Sequence, residues 1–336
     1  MASDLIPRDL QPGLVPTGFS EALLNKVVAE DSPRLLYDSS AYLAGLAQKW
    51  NGHTAEKHEI KAGQMFCEVR IGQLLGPNPG QGARTDLQDN LSHAISDLPQ
   101  PRIVEFRRYF GHFDRLIEAI RGGKRSRRSL LYLIDLWEAD QRPEPQPENL
   151  DIRPGDFREA LADIEPETIT LILTDPPYPT EYLPLWTDLA EWATKRLIPG
   201  GSLIAYCGQS ILPDALNRLS THLRYWWTFA LIHRQSQPLP GKWVSAGWKP
   251  LPWFVNECRA TEAMLPDTLY GTPPRKTIPT GDDGTWAQSV DELAPIISGL
   301  TAPDDLIVDP FAGSGTVGIA ATRFGRRFIG AEINLR

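Results

Sequence analysis

One stretch limits the possible folds more than any other. Ile169-Thr170-Leu171-Ile172-Leu173-Thr174 is an apolar, β-branched-rich run that does not alternate cleanly, and it stops at Asp175-Pro176-Pro177-Tyr178. Such a run reads as a strand buried on both faces, inside a parallel sheet. Each proline lacks an N–H and has a fixed φ, so the ladder ends there. Asp175 to Tyr178 is therefore expected as a rigid loop at the carboxyl end of a strand, the edge where open α/β sheets bind ligands. The loop offers a carboxylate acceptor, a backbone carbonyl held by Pro177 and a flat ring, a set suited to a planar base bearing an amino group. Asp-Pro-Pro by itself is also an ordinary strand-terminating turn.

A second stretch narrows the choice. Leu306-Ile307-Val308-Asp309 leads into Pro310-Phe311-Ala312-Gly313-Ser314-Gly315-Thr316 and then Val317-Gly318-Ile319-Ala320-Ala321, the pattern of strand, Gly-rich turn and helix start. Gly313 and Gly315 let the backbone take φ > 0 and approach a ligand closely. Another strand, Arg327 to Glu332, ends in an acid placed to accept from ribose hydroxyls.

The Asp-Pro-Pro-Tyr loop and the Asp-Pro-Phe-x-Gly-x-Gly turn together resemble the S-adenosylmethionine-dependent DNA amino-methyltransferases, over about Asn149 to Arg336. The resemblance implies an α/β fold with a Rossmann-like, seven-stranded, mostly parallel sheet. It implies S-adenosyl-L-methionine as cofactor, with Asp309, Phe311, Ala312, Gly313, Ser314, Gly315, Thr316 and Glu332 around it. In the same family an acid and an aromatic after the first strand contact the cofactor adenine, which points to Asp156 and Phe157, although Asp156 also reads as a simple helix N-cap. The resemblance makes Asp175, Pro176, Pro177 and Tyr178 the catalytic loop, acting on a flipped base in double-stranded DNA. An Asp at the first loop position usually accompanies adenine N6, so N6 is the expected target. Cytosine N4 is the alternative, as are a DNA-binding regulator with an inactive methylase fold and an enzyme acting on RNA or a protein amide. Trp286, Gln288 and Ser289 are weaker cofactor candidates, because the Lys-Pro frequent at that helix start is missing. The Gly-rich strand comes last and the adenine-contacting strand first, so the resemblance implies the order of a circularly permuted methyltransferase, in which a further helix would be expected to follow the final strand.

Composition sets the remaining bounds. Hydrophobic content of 41% and charged content of 23% over 336 residues are those of a soluble globular protein with room for two domains. No apolar run is long enough to span a bilayer and no secretory leader is visible, so a cytoplasmic protein without membrane partners is expected. The three cysteines and six histidines show no disulfide or metal-ligand spacing, and no metal is expected. Residues 1–19 are expected to be loosely ordered, 20–139 to form an all-helical domain, 140–148 a Pro- and Gln-bearing linker, and 149–336 the catalytic domain. Net charge is −8, yet residues 101 to 130 hold nine basic and three acidic residues. That local excess, with Lys124, Arg125, Arg127 and Arg128 at its end, is read as a phosphate-contacting surface, or equally as a solvated helix face. Dimerisation, which would make a homodimer, and a packing lid remain alternatives for the helical domain. Trp226–His233 and Lys242–Val255 are expected as an antiparallel aromatic pair, with a loop at 234–241 lying over DNA and an irregular target-recognition insertion at 259–283.

Overall fold

The computed structural model describes residues 5–7, 10, 15–49, 54–77, 100–258, 265–271 and 290–334. The expected helix start at Trp286, Gln288 and Ser289, most of the 259–283 insertion and residues 89–99 lie outside the described residues. The chain forms two compact units, residues 1–134 and 135–336. The boundary between them falls inside a helix, Arg127–Gln141.

The first unit is all helical where described: α1 (Phe19–Ala29), α2 (Pro33–Lys49), α3 (Thr54–Leu75), α4 (Gln100–Arg107), α5 (Phe113–Arg121) and the first part of α6 (Arg127–Gln141). The long helix α3 packs against α1, α2, α4 and α5. It is buried on several sides, through Ile60, Met65, Phe66, Val69 and Ile71. Gly72 permits the closest approach, since a Cβ there would lie 2.1 Å from the Phe106 carbonyl oxygen. Glu68 is fully buried in α3. Its carboxylate accepts from Arg127 at 2.6 and 2.9 Å, from Ser40 at 2.8 Å and from Gln64 at 3.0 Å. Those charge-assisted bonds satisfy a group that would otherwise be very costly to bury. Leu5, Ile6, Leu10 and Val15 are also buried, so described parts of the first nineteen residues contribute to a core.

The second unit is built on one eight-stranded sheet. Its strands are β1 (Ile152–Pro154), β2 (Ile169–Thr174), β3 (Leu197–Ala205), β4 (Arg224–Leu239), β5 (Val244–Val255), β6 (Thr268–Tyr270), β7 (Leu306–Asp309) and β8 (Arg327–Glu332). They lie in the order β1-β8-β7-β2-β3-β5-β4-β6. The run β1-β8-β7-β2-β3 is parallel throughout. Strand β5 pairs antiparallel with both β3 and β4. The first strand in sequence thus pairs with the last, as the permuted order requires. Its helices are the rest of α6, α7 (Phe157–Ala160), α8 (Leu183–Arg196), α9 (Leu212–Leu219), α10 (Val290–Leu300) and α11 (Thr316–Arg323).

Two expectations change here. The sheet has eight strands, not seven, because Thr268–Tyr270 pairs in parallel with the edge of β4 inside the stretch expected to be irregular. Only Leu269 of that strand is buried, so three residues carry too little pattern to be visible in sequence. The expected loop at 234–241 is mostly strand: β4 runs on to Leu239, held by pairing of Gln237, Pro238 and Leu239 with Ala246, Ser245 and Val244. Prolines and a polar run conceal that extension, since pairing partners rather than local propensity set it.

Candidate active site

The parallel run gathers the candidate residues along one edge. Gly155 and Asp156 follow β1, Asp175 follows β2, Tyr206 follows β3, Asp309 ends β7 and Glu332 ends β8. The chain turns one way from β7 to β8 and the other way from β2 to β3, so the strand order reverses between β7 and β2. Such a switch point opens a crevice beyond the carboxyl ends of the strands. A direct bond spans it, from the Thr174 hydroxyl to Asp309 Oδ1 at 2.5 Å.

The Gly-rich turn is bonded on both sides. Asp309 is almost fully buried, and its Oδ1 also accepts the Phe311 N–H at 3.0 Å. Burial pushes the Asp309 carboxyl up to about 7, against the opposing effect of those two bonds. Gly313 and Gly315 have φ of 51° and 81°. Their surroundings differ: a Cβ at Gly315 would lie 2.9 Å from Leu150 Cδ1, whereas nothing lies within 4 Å of one at Gly313. Gly315 is thus packed against the unit, and Gly313 faces open space. Glu332 Oε2 accepts the Gly313 N–H at 2.9 Å, and Oε1 accepts the Asn334 N–H at 2.9 Å. A carboxylate has about four acceptor positions, so Glu332 keeps room for hydroxyl donors. Gly313 and Ser314 are exposed, Thr316 half-buried and Ala312 buried.

Asp156 and Phe157 are placed more structurally. Asp156 caps α7, accepting the Arg158 N–H at 2.9 Å. It also accepts from Arg158 Nε at 2.9 Å, and this guanidinium lowers its pKa. The Phe157 ring is buried against Phe311 and Trp192, with centroids 5.4 and 5.7 Å away. Both readings of Asp156 from the sequence are compatible with this position, and the capping one is directly visible.

The Asp-Pro-Pro-Tyr loop holds a compact polar group. Asp175 is half-buried, Pro176 buried, and Pro177 and Tyr178 half-buried. The Tyr178 hydroxyl donates to Asp175 Oδ1. Burial, then the neighbouring Asp175 charge, push the Tyr178 hydroxyl pKa well up, so it stays a donor. Lys249 donates to Asp175 Oδ2 at 3.3 Å. Its ammonium lies 4.8 Å from the Tyr178 ring centroid and 5.0 Å from that of Tyr206. Tyr206 in turn donates to Glu292 at 3.0 Å. The Pro250 carbonyl accepts the Cys207 N–H at 3.0 Å, which docks the Lys249 strand beside the loop after β3. Lys249, Tyr206 and Glu292 are not recognisable as site residues from the sequence. The one signal is a lysine beside the apolar run Pro250 to Val255 and its aromatic surroundings.

Comparison with known proteins bears on the C-terminal part of this edge. Residues 288–336, which include the Gly-rich turn and Glu332, match the model of a DNA methylase family that carries the name N6_N4_Mtase. The match is confined to this C-terminal segment. The chain is 48% identical over 44 residues to the putative methylase YubD of Escherichia coli (strain K12), covering 13% of this chain and 19% of that protein. It is 55% identical over 40 residues to the type II methyltransferase M2.DpnII of Streptococcus pneumoniae, covering 12% and 15%. The match therefore spans less than a fifth of either relative's length. Among solved structures, the cytosine-N4-specific PvuII DNA methyltransferase overlays with a TM-score of 0.49 at 21% identity, covering 55% of this chain and 86% of that chain. A complex of M1.HpyAVI with SAM overlays with a TM-score of 0.43 at 22% identity, covering 55% and 94%.

Proposed function

We propose that this chain is an S-adenosylmethionine-dependent DNA methyltransferase that modifies adenine N6 of a flipped base. The observation that carries the reading is the juxtaposition at the switch point: the Asp175 loop and the methylase-family Gly-rich turn lie on adjacent strands, tied by Thr174 and Asp309. Cofactor and target base would therefore meet over one crevice. The residues fit the cofactor. Gly313 is open above its turn, Glu332 retains acceptor capacity for ribose hydroxyls, and exposed Ser314 flanks them. When bound, S-adenosylmethionine supplies an electrophilic methyl on a sulfonium.

The chain's own residues would do the rest. The exocyclic nitrogen of adenine is a poor nucleophile, because its lone pair is delocalised into the ring. Asp175 accepts one amino hydrogen and the Pro176 carbonyl the other, which favours a pyramidal nitrogen with an available lone pair. The carboxylate also stabilises positive charge developing on that nitrogen. Tyr178 supplies the stacking face, and the base leaves the duplex at a cost of about a few kcal/mol. Fixing the base in this geometry is itself worth up to about 7–11 kcal/mol. Asp175, where cytosine-directed relatives usually carry Ser, supports adenine.

DNA is the expected partner, and its backbone would meet the helical unit. There Lys61, Lys124, Arg125 and His58 line an open pocket of about 310 Å³ with Ser126 and Ser129. The decisive experiment incubates the protein with labelled cofactor and unmethylated DNA, followed by nucleoside mass spectrometry. N6-methyladenine is the expected product. N4-methylcytosine would move the target, and absence of label in DNA would overturn the assignment.

A further inference from the structure

The Asp175 loop already holds an amine. Lys249 Nζ donates to Asp175 Oδ2 at 3.3 Å, and its charge sits over the Tyr178 ring, 4.8 Å from the centroid. These are the two partners that the reading above gives to the target base: the carboxylate for its amino group and the ring for its face. The other carboxylate oxygen accepts the Tyr178 hydroxyl. An ammonium is a compact charge with three donors on a flexible four-carbon stem. It can satisfy a carboxylate and an aromatic face together, as an exocyclic amine with its ring would.

The second ring sharpens this. The Tyr206 ring centroid also lies 5.0 Å from Lys249 Nζ, and the Tyr206 hydroxyl donates to Glu292. The ammonium thus lies over two aromatic rings and beside one carboxylate. Lys249 and Asp175 side chains nevertheless keep 25% and 34% exposure, so the lysine has a way out. The surrounding strand packing does not call for a cation here. Leu231, its partner across the hairpin, and Leu251, two residues along, are buried apolar residues.

We propose that Lys249 is an internal stand-in for the target amino group: it occupies the Asp175 oxygen and the Tyr178 face in the base-free protein, and withdraws when the base arrives. Lys249 then acts as a built-in competitor that sets how readily a base is captured. The inference rests on the assignment of the Asp175 loop as the amine-binding site.

Two readouts test it. The first is methyl transfer to unmethylated DNA by Lys249→Met, which keeps the stem and removes the charge, and by Lys249→Arg, which keeps the charge. KM for DNA should fall about three- to tenfold in Lys249→Met, consistent with the modest worth of a partly exposed ion pair. Lys249→Arg should stay near wild type. The second readout needs no transfer: quenching of 2-aminopurine deoxyriboside fluorescence, a probe that carries an exocyclic amine. Lys249→Met should bind it several-fold more tightly than wild type and Asp175→Ala more weakly. Calorimetry with S-adenosylmethionine checks that each variant keeps its fold. An unchanged or raised KM with unchanged or weaker probe binding in Lys249→Met overturns the inference, as does the absence of quenching in every protein. Tighter probe binding in Lys249→Met without any transfer to DNA by wild type would keep the inference and overturn the DNA assignment alone.

Discussion

At Asp175 both carboxylate oxygens are engaged, one by the Tyr178 hydroxyl and one by Lys249. The Tyr178 hydroxyl therefore has a partner that its place after Pro-Pro does not reveal, since the sequence draws attention only to the ring. On the proposed function, in which Asp175 holds the target nitrogen, Asp175→Ala should abolish transfer while leaving cofactor affinity unchanged by calorimetry. Asp175→Asn retains an acceptor oxygen but loses the charge, so a small residual rate is expected. Tyr178→Phe keeps the stacking face and loses a bond to a charged acceptor. It should lower kcat about tenfold, or about 1.4 kcal/mol, with KM nearly unchanged. Asp309 gives a test independent of catalysis. Burial raises its folded-state pKa from 3.8 to about 7. Between those values the unfolded chain releases the proton first, so stability falls as pH rises from about 4 to about 7, with the full loss present above it. The slope is at most about 1.4 kcal/mol per pH unit. Asp309→Asn can still accept from Thr174 and Phe311, and its denaturation midpoint should be flatter across that range than that of wild type.

Among the elements, the strand-turn-helix from Leu306 to Arg323 is the most legible in sequence, because two glycines, an acid and a switch from apolar run to helical period mark its parts within one short stretch. The structure separates the two glycines by packing, which sequence does not. Gly315→Val meets Leu150 and Ile152 at about van der Waals overlap, in a backbone region that side chains avoid. It should unfold this corner as well as the cofactor turn. Gly313→Ala faces open space and carries only the left-handed strain, about 1 kcal/mol. The expected result is a small loss of thermal stability for Gly313→Ala with a larger loss of cofactor affinity, and a large loss of both for Gly315→Val. The central strand β2 and its Asp-Pro-Pro-Tyr loop are equally legible. Strand β6 and the far end of β4 are not, since both exist through pairing with distant segments. Lys249 escapes a sequence reading for the same reason. Its relation to Asp175 is made by the order β2-β3-β5, across residues 74 apart in sequence.

Across the whole chain, charge has two roles that composition alone cannot separate. Some cations are internal. Arg326 and Asp135, at 0% and 1% side-chain exposure, pair at 3.0 Å inside the second unit. Arg326 also donates to the Thr301 carbonyl at 2.8 Å. Arg326→Ala would remove the guanidinium that pairs with the buried Asp135 carboxylate and should cost about 3–5 kcal/mol, read as a lower denaturation midpoint. In the helical unit, Arg127 and Arg102 pair with Glu68, and Arg121 pairs with Glu21 and Glu118. Arg127 keeps 39% side-chain exposure, but its guanidinium is committed to the buried Glu68 carboxylate. Lys124 and Arg125 stay on that surface and are joined by Lys61 and His58 from helix α3, a grouping that only the packing of α3 beside the turn before α6 creates. The phosphate surface is therefore expected to be Lys61, Lys124 and Arg125, with Arg127 structural. Neutralising the first three should weaken DNA binding by a similar factor on every sequence. It should also reduce the slope of log K against log salt by about 0.9 for each phosphate that is no longer neutralised. Arg127→Ala should instead lower stability, because Glu68 would lose its nearest cation, and should leave the salt slope of the folded protein unchanged. Filter-binding titrations over a range of salt, paired with thermal melts, distinguish the two classes of arginine. An Arg127→Ala protein of wild-type stability with a reduced salt slope would return that residue to the DNA surface.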